Sequence, residues 1–202
     1  VNTELDININ NISKSFGEKR VLRDFSANIH KGKINCIMGP SGCGKTTLLN
    51  ILMGFLEPDS GTVTGVPEKK SAVFQEDRLV ESFSAVSNVR MVCGKDVSVD
   101  TVKQHLVLIG IEEKSMHVPV SQLSGGMKRR VAIVRAILAD SEIIFMDEPF
   151  KGLDTGTKHT VIEYVKSNTT GKTVVVVTHY AEEVQMLEGS LIRMEMAQDN
   201  LA

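Results

Sequence analysis

One stretch of eight residues limits the architecture more than anything else in the chain. Gly39-Pro40-Ser41-Gly42-Cys43-Gly44-Lys45-Thr46 matches the phosphate-loop pattern G-x-x-x-x-G-K-[ST]. The apolar run Lys33 to Met38 reads as a buried strand that stops at Gly39, and Thr46 to Met53 reads as a helix stopped by Gly54. That strand–loop–helix context is the one the pattern requires. Glycines let successive backbone N–H groups turn inward onto phosphate oxygens, and the following helix adds the partial positive charge of its N-terminus. Gly39, Ser41, Gly42, Cys43, Gly44, Lys45, Thr46 and Thr47 are therefore candidate phosphate ligands. Lys45 is placed to reach the β- and γ-phosphates of a nucleotide, and the Thr46 hydroxyl to meet Mg²⁺. The competing reading is a glycine-rich turn that only caps a helix; the complete pattern in this context argues against it.

A second apolar run, Ile143-Ile144-Phe145-Met146, ends in Asp147-Glu148, about 100 residues downstream. In a parallel sheet, a carboxylate at the C-terminal end of one strand stands beside the loop that follows another. Asp147 is then read as holding Mg²⁺ through water, and Glu148 as polarising an attacking water. Alone, two acids at a strand end are equally a strand meeting solvent.

The remaining pattern fits an α/β chain. Leu5, Ile7 and Ile9 alternate with polar residues, as do Phe25, Ala27 and Ile29, so an antiparallel β subdomain is expected near the N-terminus. Residues near Pro58 to Gly65 read as a turn-rich hairpin, and Ser71 to Gln75 as a strand. The middle, about 76–139, reads as an inserted α-helical subdomain, with Val102, Leu106 and Ile109 on one helical face and Val131, Val134, Ile137 and Leu138 on another. Glu142 to Met146 and Thr173 to Val177 are near-continuous apolar runs, which suit parallel strands covered on both faces. A crossover helix is expected at about 155–168. The whole, 1–202, is expected to be one domain with a phosphate-loop core and a mostly parallel sheet.

Composition removes several classes. With 23 basic and 25 acidic residues the formal charge is −2, so a nucleic-acid partner is not expected. The densest basic cluster, Lys128-Arg129-Arg130, reads as a solvated helix face. Three cysteines without a C-x-x-C pair argue against a disulfide framework or a structural zinc. Cys36 reads as core, and Cys43 as open to thiol reagents. No run of 18 apolar residues is present, and the N-terminus reads as lacking a secretion signal.

Leu123-Ser124-Gly125-Gly126-Met127 resembles the signature motif of the ATP-binding cassette ATPases. With the two motifs above, the resemblance covers nearly the whole chain, about residue 5 to residue 195. Ser124 and two glycines ahead of a helix form a second exposed anion site, although a lone Ser-Gly-Gly is as readily a plain N-cap. The resemblance implies head-to-tail pairing, with Ser124, Gly125 and Gly126 of one subunit meeting the γ-phosphate of ATP held by the other. It implies that Gln75 senses Mg²⁺ and the attacking water and relays to a transmembrane partner. It implies that His179 contacts the γ-phosphate, that Asp154 in Gly152-Leu153-Asp154 reaches the dimer interface, and that Phe16 stacks on adenine. Phe16 stands where tyrosine is common, Met127 where glutamine is usual, and Lys151 where a small residue is common.

The same resemblance, narrowed by Val73 to Leu79 and by Met127, points to the nitrate, sulfonate and taurine importer subgroup. It implies ATP and Mg²⁺ as ligands, a second ATPase subunit that is a copy of this chain, transmembrane permease subunits and a solute-binding protein. The expected place is the cytoplasmic face of the cell membrane, held peripherally. A C-terminal regulatory extension is not expected. The rival readings are the ATPase half of an exporter, a cassette ATPase acting on DNA or ribosomes, and a small-molecule kinase or GTPase. The last lacks a need for the Ser124 motif, and no Asn-Lys-x-Asp base-reading motif is present.

Overall fold

A computed structural model describes residues 6–197. Leu5, the first residue of the N-terminal alternation, lies outside the described residues, as do those after Ala197. The chain forms two sheets and seven α-helices among the described residues.

The first sheet is antiparallel. β1 (Ile7–Phe16) pairs with β2 (Lys19–Ile29) across the turn at Gly17, and β4 (Ser60–Thr64) lies on the other edge of β1. The hairpin expected near Pro58 to Gly65 therefore does not form; Ser60–Thr64 pairs with a distant strand instead. Gly61 permits this. Its φ is +86°, and a Cβ there would stand 2.3 Å from the carbonyl oxygen of Asn11, where β1 is itself irregular. Such long-range pairing leaves no periodic trace in a segment of five residues.

The second sheet has five parallel strands in the order β5 (Lys70–Val73), β6 (Ile143–Asp147), β7 (Thr173–Thr178), β3 (Ile34–Met38), β8 (Ser190–Arg193). Side chains of β6 and β7 alternate between two cores. Ile144, Met146, Val174 and Val176 pack into one with α2 (Ala85–Arg90), α3 (Val99–Leu108), α5 (Gly125–Leu138) and α6 (Thr155–Asn168). Ile143, Phe145, Val175 and Val177 pack into the other with α1 (Lys45–Met53) and the antiparallel sheet. Burial on both faces is why these strands read as continuous apolar runs. α4 (Glu113–Met116) and α7 (Ala181–Leu187) complete the set. The helices expected in the middle are α2 to α5.

One buried polar group organises the entry to those helices. Asn88 is fully buried; its Oδ1 accepts from Val80 N (2.8 Å), and its Nδ2 donates to the carbonyls of Val80, Phe83 and Ser84. Asn88→Leu keeps the bulk and orphans these groups, at about 1–3 kcal/mol each. Urea unfolding is expected to show a stability loss of about 2–4 kcal/mol with an unchanged slope. An unchanged midpoint would show that this network contributes nothing net.

Candidate active site

Parallel register brings the C-terminal ends of the second sheet to one edge. Met38 lies opposite Thr178, Val177 opposite Asp147, and Met146 opposite Val73. Each strand then delivers its next residues to the same place: the glycine loop after β3, Glu148 after β6, His179 after β7 and Gln75 after β5. These groups line one cavity of about 420 Å³ with Phe16, Lys19, Val21, Ser41, Gly42, Gly44, Lys45, Thr46 and Thr47.

The loop is tightly seated. Gly44 has φ +97°, and a Cβ there would meet Leu22 Cδ2 at 2.7 Å and Val21 O at 3.0 Å, so both conformation and space require glycine. Lys45 is buried, and its ammonium donates to the carbonyls of Gly39 and Pro40 at 2.8 Å each. Cys43 is 1% exposed, lodged beneath the loop. The expectation that thiol reagents reach it is corrected: the residue types of a glycine-rich loop suggest exposure, but the curl turns this side chain inward.

Thr46 and Asp147 meet directly, the hydroxyl donating to Asp147 Oδ2 at 2.9 Å. Burial pushes the Asp147 carboxyl above the ordinary range, against the hydrogen bond from Thr46 and with the charge of Glu148 adding to the rise. Glu148 sits at φ +48°, a left-handed conformation held by its N–H on Val177 O at 3.0 Å. Both its oxygens are engaged: Oε2 with Lys151 Nζ at 2.7 Å, Oε1 with His179 Nε2 at 2.6 Å. Burial raises its carboxyl, but Lys151 and His179 outweigh that and hold it below the usual carboxylate range. The unusual Lys151 thus reaches the acid three residues before it.

His179 is steadied from behind. Thr178 donates its hydroxyl to the buried carboxylate of Glu183 and accepts from Tyr180 N at 3.1 Å, while Lys158 pairs with Glu183 at 3.1 Å. Phe16 ends β1 with its ring 52% exposed at the mouth of the cavity.

Ser124, Gly125, Gly126 and Asp154 do not line this cavity. Ser124 caps α5, its Oγ accepting from Met127 N at 3.3 Å, and both it and Gly125 are exposed. A Cβ on Gly125 would meet nothing within 4 Å, and one on Gly126 would touch Leu153 at 3.4 Å. Asp154 caps α6 by accepting from Thr157 N at 2.9 Å. Hydrogen bonding from the Thr157 side chain first, and from its backbone second, holds the Asp154 carboxyl low. The chain therefore carries a cavity and, apart from it, an outward-facing helix N-terminus.

Sequence reasoning missed Lys19 and Val21, which enter the site because β2 follows the Gly17 turn. It also misread Arg129. The cluster Lys128-Arg129-Arg130 is not a solvated face: Arg129 is 9% exposed and fully bonded. Three adjacent basic residues on a helix point in different directions, and charge alone does not tell which of them turns inward.

Known proteins resemble this chain over most of its length. The family described as ABC transporter matches residues 22–151. A taurine import ATP-binding protein of Roseobacter denitrificans is 36% identical over 210 residues, 93% of this chain and 77% of that one. A Nod factor export ATP-binding protein of Rhizobium etli is 34% identical over 198 residues, 90% of this chain and 62% of that one. A dimeric ATP-binding cassette solved in a post-hydrolysis state with ADP and Pi superposes with a TM-score of 0.81 at 29% identity, covering 95% of this chain and 97% of that chain.

Proposed function

Because this chain belongs to the ABC transporter family and is an ATPase subunit of such a transporter, we propose that two copies of it sandwich two ATP molecules and drive a membrane importer of the taurine type. One observation carries the pairing. A single cavity collects Lys45, Thr46, Gln75, Glu148 and His179, while Ser124 and Gly125 stand exposed and away from it. A γ-phosphate held by one copy is then completed by the Ser124 end of the other.

The roles follow from the contacts. Phe16 offers its ring face to adenine. Lys45 and the loop amides bind the β- and γ-phosphates. Thr46 and Gln75 line the cavity, and Asp147 stands behind Thr46 and accepts its hydroxyl; together they offer hard oxygen donors, a set that fits Mg²⁺. When bound, that ion neutralises charge on the phosphates. Glu148, kept ionised, takes the proton of the attacking water, and His179 orients that water and the γ-phosphate. Asp154, at the exposed start of α6, lies where a partner copy can reach it.

We assign the helices between 76 and 139 to a subdomain within one cassette, and its exposed Val80, Phe83 and Met91 favour docking against permease subunits. No described helix is long and apolar enough to cross a membrane. The similarity to taurine import ATP-binding proteins supports a peripheral place on the cytoplasmic face, with the solute chosen by the permease and a solute-binding protein. A second reading, the ATPase half of an exporter, is favoured by the similarity to the Nod factor export protein. Copurification of this chain with a permease and a solute-binding protein separates the two.

The pairing is tested with Ser124→Arg in a Glu148→Gln background. ATP is expected to yield a dimer on sizing for Glu148→Gln alone and a monomer for the double variant. A dimer that persists in the double variant overturns the shared site.

A further inference from the structure

Three basic side chains of α5, Lys128, Arg129 and Arg135, lie outside the lining of the cavity and hold one particular segment. Residues 74–81 follow β5 without forming a helix or strand, and they carry Gln75. Arg129 donates Nη1 to Phe74 O at 2.6 Å and Nη2 to Gln75 O at 2.5 Å, and its Nε stands 3.1 Å from Asp77 Oδ1. Two turns on, Arg135 donates to the carbonyls of Arg78 (2.8 Å) and Asp77 (2.9 Å). Lys128 pairs with Glu81 at 3.1 Å. The carbonyls of residues 74, 75, 77 and 78 are thus taken by side chains of the single helix that Ser124 opens.

The chemistry suits arginine alone at position 129. A guanidinium is a rigid planar fork that serves two carbonyls and a carboxylate together; a lysine ammonium is a point charge on a flexible stem. Arg129 is buried, so leaving those carbonyls without partners is costly. The segment cannot shift against α5 without breaking several charge-assisted hydrogen bonds at once.

We propose that Arg129 is a positioning residue that locks the Gln75 segment to the helix headed by Ser124, so that these two half-sites of one chain move as a unit. The inference rests on the roles given to Gln75 and Ser124 above. In a paired molecule, Ser124 engages the nucleotide of the partner while Gln75 faces the nucleotide of its own chain. Capture of one ATP then sets the geometry around the other through Arg129, with no change required in either phosphate loop.

The test compares the whole chain with Arg129→Gln and Arg129→Lys. Each is expected to lower kcat by about tenfold, because a misplaced Gln75 no longer orients the water, while KM for ATP stays within about twofold because the phosphate loop is untouched. The lysine variant is expected not to rescue, since it lacks the fork. Limited trypsinolysis is expected to cut after Arg78 sooner in both variants, as the segment opens locally. Should Arg129→Gln fail to fold, Arg135→Gln, which frees only the carbonyls of Asp77 and Arg78, is expected to move kcat and cleavage in the same direction. Wild-type kcat and cleavage in Arg129→Gln overturn the proposal, as does a kcat loss matched by an equal weakening of ATP binding. Gln75→Ala is measured in parallel. A slow Gln75→Ala beside a fully active Arg129→Gln defeats the lock alone, whereas a fully active Gln75→Ala removes the role of Gln75 on which the lock depends.

Discussion

Glu148→Gln is expected to slow ATP hydrolysis by about 10²–10⁴-fold, the usual contribution of a positioned general base, and to leave ATP affinity nearly unchanged. The substitution keeps shape and removes charge. Glu148 is the carboxylate that lines the cavity, and Lys151 at 2.7 Å and His179 at 2.6 Å keep it in the charged form that can accept a proton. Asp147, one residue earlier, is pushed the opposite way by burial and is already spoken for by Thr46. Two adjacent acids are therefore held in opposite electrostatic surroundings. ATP affinity is spared because the loop contacts come from β3 and α1, whereas Glu148 stands at the end of β6. Turnover measured beside the binding of a fluorescent ATP analogue checks both halves. Wild-type turnover in Glu148→Gln would move the base elsewhere in the cavity.

Lys45→Ala is expected to act on binding itself, weakening ATP affinity by about 10–100-fold, from the roughly 1.5–3 kcal/mol carried by a hydrogen bond to a charged group. The ammonium bonds Gly39 O and Pro40 O and so shapes the curl, and Lys45 lines the cavity. Titration calorimetry with ATP reads the loss directly. A thermal melt close to that of the parent chain would show that the loop's seat survives, because Gly44 and Cys43 still pack against Leu22 and the loop interior. Unchanged affinity would remove Lys45 from its role.

The parts of the site that were legible in the sequence are those whose residue types are imposed by chemistry over a short span. The loop 39–46 and the pair Asp147-Glu148 follow local rules, since a backbone that wraps phosphate needs glycine and a strand end that meets a cation needs oxygen. The buried strands 143–147 and 173–178 were legible because burial on two faces erases alternation. The Ser124 motif was legible as the start of a helix: Ser124 caps α5 and stands exposed away from the cavity.

What remained hidden depends on partners far apart in the chain. Nothing within residues 58–65 announces that Ser60–Thr64 pairs with β1, because a tight passage over Asn11 is a property of both strands together. Cys43 turns inward and Arg129 turns toward Phe74 and Gln75 because of atoms brought near only by folding. Lys151 stands where a small residue is common, and only the folded chain shows its reach to Glu148. The amino-acid order by itself therefore determined which chemical groups exist and which short segments can cradle phosphate. Tertiary structure alone decided which charges neutralise one another, because side-chain electrostatics act over a few ångströms of space and take no account of distance along the chain.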